Sequence, residues 1–86
     1  MADRQIGEIT HCYDKISVGV LALTDTIRLG DTIHILGHTT DFQQQVVSLQ
    51  VDHKEVETAG PGDDVALKVD ERVREGDKVF RVLDEQ

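Results

Sequence analysis

Apolar residues along this chain recur mainly at every second position, in runs of four to eight residues bounded by glycine, aspartate and threonine. Period-two alternation with flanking turn residues predicts half-buried strands rather than helices. Ile6 to Tyr13 reads as the first strand, Asp14-Lys15 as a turn, and Ile16 to Leu23 as the second strand. In that second strand Val18, Val20 and Ala22 share one face while Leu21 and Leu23 share the other, so it is expected to be covered on both sides for part of its length. Gly19 inside it predicts a bulge or a close backbone approach.

Further along, Thr24-Asp25-Thr26 is loop material and Ile27-Arg28-Leu29 leads into a turn. Thr32 to Leu36 follows as a short strand with Ile33 and Ile35 inward and His34 outward. Gly37 to Asp41 is a loop, and Gln44 to Val51 reads as one continuous strand. Lys54 to Thr58 is expected to form one helical turn with Val56 pointing in, before the turn cluster Ala59-Gly60-Pro61-Gly62-Asp63. Val65, Leu67 and Val69 alternate with Ala66, Lys68 and Asp70 in the cleanest half-buried strand of the chain. After a charged connection from Glu71 to Glu75, Lys78 to Leu83 is the last strand, with Asp84-Glu85-Gln86 a frayed acidic tail.

One phrase occurs three times: Gly30-Asp31-Thr32-Ile33, Gly62-Asp63-Asp64-Val65 and Gly76-Asp77-Lys78-Val79. Glycine reaches positive φ without steric cost, and aspartate can close a turn by bonding nearby backbone. Each phrase therefore predicts a tight turn feeding a strand. Two of them extend further, because Ile27-Arg28-Leu29-Gly30-Asp31-Thr32-Ile33 echoes Val73-Arg74-Glu75-Gly76-Asp77-Lys78-Val79. These predict two equivalent barrel corners, with Ile27 and Val73 as plugs. An open sheet of this length would leave exposed edges, which closure removes. The expected fold is all-β, a six-stranded closed antiparallel β-barrel in a single domain over residues 1–86, the barrel spanning about 6–83.

Composition sharpens this picture. A chain of 86 residues buries only roughly 60–65% of its unfolded surface, so the core is modest. With Phe42, Phe80 and Tyr13 the only aromatics, that core must be aliphatic and offers little for stacking bases or sugars. The single Cys12 excludes an internal disulfide, and no apolar run is long enough for a membrane span or signal core. A soluble cytoplasmic protein without membrane partners is the expectation.

The net charge of −8 argues against nonspecific phosphate-backbone binding. Its distribution is uneven. Seven acids and one base lie between Asp31 and Asp64, whereas Lys68, Arg72, Arg74, Lys78 and Arg81 form a local basic strip. Those five residues are the candidate partner-binding set. An acidic face of Asp52, Glu55, Glu57, Asp63 and Asp64 is the alternative, suited to a basic protein partner.

The order of these segments resembles domain II of the translational GTPases, the β-barrel that follows the nucleotide-binding domain in elongation factor Tu. Three stretches carry the resemblance: Val18 to Ala22 with Thr26 to Ile35, the strand Val46 to Gln50, and Val56 to Leu67 closed by Val73 to Val79. More closely, the chain is similar to small stand-alone translation elongation factor-like proteins. That resemblance implies a barrel, a translation-related role, and contact with the ribosome or another RNA-bearing particle. No G-x-x-x-x-G-K-[ST] loop is present, so neither GTP nor a GTPase domain is expected.

No catalytic set is proposed by the spacing. His11 and Cys12 alternate to opposite faces of a strand, and His34 and His38 straddle a strand and a loop, so neither pair has metal-ligand geometry. Whether His34, His38 and His53 gather in space is left open by the sequence. The chain is expected to be a non-enzymatic binding module without metal or cofactor.

Overall fold

The computed structural model describes residues 3–82; Leu83 and the acidic tail, for which a strand end and fraying were expected, lie outside the described residues. The fold is all-β. It comprises β1 (Arg4–Tyr13), β2 (Val18–Leu23), β3 (Ile27–Arg28), β4 (Thr32–Leu36), β5 (Asp41–Gln45), β6 (Leu49–Val51), β7 (Lys54–Glu55), β8 (Thr58–Ala59), β9 (Asp64–Lys68) and β10 (Lys78–Arg81). Among the described residues the only helical element is a single 3-10 turn, Asp14–Ile16. Eight strands form one antiparallel sheet in the order β5-β4-β10-β1-β2-β9-β6-β7, and β3 pairs with β8 alone.

The three Gly-Asp phrases are superimposable in their bonding. Gly30, Gly62 and Gly76 have φ of 91°, 89° and 93°, as the third position of a type II turn requires. The following aspartate N–H donates back to the carbonyl of Arg28, Gly60 or Arg74 at 3.2, 3.1 and 3.1 Å. Its carboxylate accepts the N–H of that same residue at 3.0, 3.1 and 2.9 Å. Each turn then clamps one buried aliphatic residue by its backbone. Gly30 and Asp31 hold Val46, Gly62 and Asp63 hold Leu23, and Gly76 and Asp77 hold Ile9, through two bonds of 2.8–3.0 Å apiece.

Apolar residues three before and three after each glycine face the core. Ile27, Ala59 and Val73 precede; Ile33, Val65 and Val79 follow; all six are buried. The expected twofold echo is thus a threefold one. Ala59 is the member hidden by its small side chain, and the small sheet pairs it directly with Ile27. The remaining core is aliphatic, built on Ile6, Ile9, Leu21, Ile35, Leu49 and Leu67, with Phe42 the sole buried aromatic.

Four expectations are corrected. Among the described residues six strands become ten, most of them short. The ladder is not closed by backbone pairing, since it ends at β5 and β7. The single strand Gln44 to Val51 is two strands: Val46 and Leu49 are buried while Val47 is 65% exposed, a one-residue phase slip where the chain leaves β4 for β9. Lys54 to Thr58 contains no helical turn but the strands β7 and β8. There Asp52 and His53 both adopt positive φ, closing the two-residue β6–β7 hairpin. The bulges lie in β1, at Gln5/Gly7 and Ile9/His11. Gly19 is a close approach, where an added Cβ would lie 3.3 Å from Val73 Cγ2.

Replacing Gly30, Gly62 or Gly76 by Ala should cost about 1–2 kcal/mol each, because a Cβ disfavours the left-handed region. Gly60, with open space and no positive φ, should tolerate Ala and gain about 0.4–1 kcal/mol from a less flexible unfolded chain. Urea unfolding midpoints measure both.

Candidate docking groove

At the end of the sheet where β1 runs into the 3-10 turn, the loop from Val69 to Glu75 folds back and leaves a groove. Backbone bonding fixes this arrangement: Val69 N–H donates to the Ser17 carbonyl at 2.8 Å. Ser17 itself holds φ 57°, which turns the chain from the 3-10 turn into β2. The first lobe of the groove, about 220 Å³, is lined by Val18, Val69 and Val73, by Cys12, and by Tyr13 and Arg72 among its polar walls. A second lobe of about 360 Å³ continues past Arg72 and Val73 to Arg74 and Glu75.

Charge is distributed unequally around the rim. Arg72 Nη2 donates to Asp14 Oδ2 at 2.8 Å, and this bond raises the arginine pKa above its ordinary value. Glu75 Oε2 sits 3.4 Å from His11 Nδ1. The rings of His11 and Tyr13 lie 4.5 Å apart, tilted by 59°. Cys12 is a half-buried free thiol on the floor, and strand alternation sends His11 to the other face. The His11 imidazole is turned toward Glu75 and Tyr13 instead.

The structure disperses the predicted basic strip. Arg72 is tied to Asp14, Lys78 Nζ lies 3.3 Å from Glu8 Oε1, and Arg81 Nη1 donates to the Thr26 carbonyl at 2.7 Å. Lys68 ends β9, and Arg74 is exposed on the groove wall. Of the five, Arg72 and Arg74 line one lobe of the groove together. Spacing of three between Lys78 and Arg81 places them on opposite faces of β10. Of the acidic face, Asp63 is consumed as a turn cap, while Asp52, Glu55, Glu57 and Asp64 remain exposed.

The histidines do not gather: His34 on β4 bonds Asp41 at 2.5 Å, His38 lies in the next loop, and His53 is at the β6–β7 hairpin tip. Among the described residues no three His, Cys, Asp or Glu side chains are placed to hold a metal ion. No helix there is long and apolar enough to cross a membrane.

A second charged cluster braces β1. Arg4 Nε lies 2.5 Å from Asp25 Oδ2, and Arg4 pairs across the ladder with Arg81. Asp25 thus separates two like charges. The Thr26 N–H donated to its Oδ1 at 2.7 Å is the main cause holding this carboxyl below its ordinary value, partial burial opposes it, and Arg4 and Arg81 lower it further. No spacing rule singles out this cluster: the β1–β10 pairing sets Arg4 opposite Arg81, and the Thr24 N–H bond to the Ile6 carbonyl at 2.8 Å brings the loop with Asp25 beside them.

No protein-family model matches the chain. It is 43% identical over 77 residues to a protein named as an uncharacterized protease, from Methanocaldococcus jannaschii. That alignment covers 88% of this chain but 19% of the relative's length. Among solved structures, the C-terminal domain of a Geobacillus thermoleovorans protein classed with the U32 peptidases superposes with a TM-score of 0.87. The match spans 93% of both chains at 16% identity, which establishes a common fold. A selenomethionine form of that domain gives a TM-score of 0.84 over 88% of this chain and 96% of that one.

These findings overturn the resemblance to translation-factor domain II and to stand-alone elongation factor-like proteins. Translation, ribosome contact and RNA binding, which followed from that resemblance, fall with it. The physical reason is visible in the residues that carried it. Leu21, Ile27, Ile33, Val65 and Val73 are core, and Gly30, Gly62 and Gly76 are turn pivots. They specify how a strand turns and packs, and carry no information about what the surface binds. The chain shares its fold with a C-terminal domain of a peptidase-class protein.

Because the folded pKa of Asp25 is depressed, the unfolded state binds more protons in acid. Its contribution is then present above the unfolded pKa and lost as pH falls through the folded one. Asp25→Asn should flatten the decline in stability between roughly pH 4 and pH 2, read as urea midpoints across that range.

Proposed function

We propose that this chain is a non-catalytic docking domain, the counterpart of the C-terminal β-domain of a U32-type peptidase, which binds a protein partner beside a catalytic unit. The observation that carries this reading is the superposition over 93% of both chains on such a domain. The sequence relationship to a protease-named protein supports it. So does the site itself, a shallow groove whose one thiol is parted from the adjacent imidazole. Nucleophilic catalysis needs an activated nucleophile with its base in hydrogen-bond reach. The net charge of −8 favours a partner with a basic surface. A reducing, cytoplasmic setting belongs to the same reading, supported by the free Cys12.

Closure of the curved sheet into a barrel is also part of the proposal. The buried Gln44 amide on β5 donates to the Lys68 carbonyl at 2.8 Å and accepts the Asp70 N–H at 2.7 Å. These bonds support a seam between β5 and β9 made by a side chain instead of a backbone ladder. Gln44→Leu should cost about 1–3 kcal/mol, since it orphans two backbone groups. Faster hydrogen exchange at the Asp70 amide should accompany it.

For the docking role, the purified chain should release no product from a fluorogenic peptide library. Affinity capture in the presence of nuclease should retain a protein carrying a peptidase catalytic domain. Hydrolysis that disappears in Cys12→Ala, or loss of every partner on nuclease treatment, would overturn the reading.

A further inference from the structure

Resting on that docking role, we infer that the groove around Cys12 takes an extended segment of the partner in which an aliphatic side chain is followed by lysine or arginine. Shape and charge point to this occupant together. The floor of the first lobe is apolar, from Val18, Val69 and Val73, with the half-buried Cys12 thiol beside them. At about 220 Å³ it has the size for an aliphatic side chain rather than a whole drug-sized ligand. The ring of Tyr13, 49% exposed, forms an apolar lip with its back against His11.

The rim decides the charge of what enters. Among the described residues Arg72 is the only cation lining this lobe, and its charge is already met by Asp14 at 2.8 Å. Asp70 and Glu71 line the same lobe, are exposed, and have no ion-pair partner among the described residues. An anion would therefore meet two free carboxylates and a cation that is already engaged. A lysine or arginine next to the seated side chain would meet those carboxylates directly, with its aliphatic stem against the valines. Exposed pairs of this kind add little affinity and set orientation and choice of partner.

The chain carries its own probes, since Cys12 is the only cysteine and Tyr13 the only tyrosine, with no tryptophan present. Four capped hexapeptides test the proposal on the intact protein: one with a central Leu-Lys, and others with Leu-Glu, Ser-Lys and Ser-Glu. The Leu-Lys peptide should slow alkylation of Cys12 by about tenfold at nine times its Kd, by simple mass action. It should also shift the Tyr13 emission, while the other three do neither at the same concentration.

The paired variant Asp70→Lys with Glu71→Lys changes only exposed loop residues, and should reverse the order so that Leu-Glu protects better than Leu-Lys. Equal protection by Leu-Lys and Leu-Glu, protection by none of the four, or protection that grows with protein concentration alone would overturn the inference. The last result would place a second copy in the groove. Should the peptides fail while nuclease-resistant capture of the peptidase-type partner persists, the groove is wrong and the docking role stands. Loss of both removes the role itself.

Discussion

A glycine in positive φ, followed by an aspartate that caps its own turn and then grips a buried residue across the ladder, is the interaction on which this fold rests. It occurs at Gly30-Asp31, Gly62-Asp63 and Gly76-Asp77, and each time four hydrogen bonds converge on two residues. Two of the four close the turn. The other two extend an antiparallel pair by one residue, joining β4 to β5 at Val46, β9 to β2 at Leu23, and β10 to β1 at Ile9. The apolar residues three before and three after the glycine are thereby driven into one core. A small chain with limited burial gains from this economy, because local turn chemistry and core registration are secured by the same atoms.

The clamps also explain where function can reside. Backbone groups around β4, β9 and β10 are engaged in ladders and turns, and the interior is filled with valine, leucine and isoleucine. What remains is the loop between β9 and the third clamp, anchored at Val69 by Ser17 and at Asp77 by Arg74. Between those anchors Asp70 to Glu75 wraps over the end of β1, and the gap beneath it is the groove. Asp77 is buried there, and Gly37 passes so close that a Cβ would collide with its carboxylate. The third clamp is thus the most enclosed of the three, and it sets the far wall of the site.

Electrostatics follow the same logic of local engagement. Several cations that stand close together in sequence are separated in space and engaged near at hand: Arg72 by Asp14, Lys78 by Glu8, Arg81 by the Thr26 carbonyl. Arg4 and Arg81, which face one another across β1 and β10, are reconciled by Asp25 inserted beside them. Like charges directly opposite destabilise a ladder, so this carboxylate has a structural task at an edge of the core. The surface left over is acidic, and the same imbalance appears in miniature at the groove rim.

Read without coordinates, the chain reveals its all-β class, the alternation of Ile33, Ile35, Val65, Leu67 and Val69 into the core, and the turns at all three Gly-Asp pairs. Those are properties of φ preference and of period two, and both act between neighbours a few residues apart. It does not reveal the break between β5 and β6, because Val46, Val47 and Leu49 alternate almost as one strand would. Nor does it show the Asp52-His53 hairpin, whose turn residues are not the usual glycine pair. The Gln44 bond to the Asp70 N–H, the Arg4–Asp25–Arg81 cluster and the Arg72–Asp14 pair at the groove join residues 21 to 77 positions apart in sequence. Only strand pairing over that distance decides them, and no local preference encodes it. The partner is more distant still, since the residues that make the pattern recognisable are those spent on turning and packing.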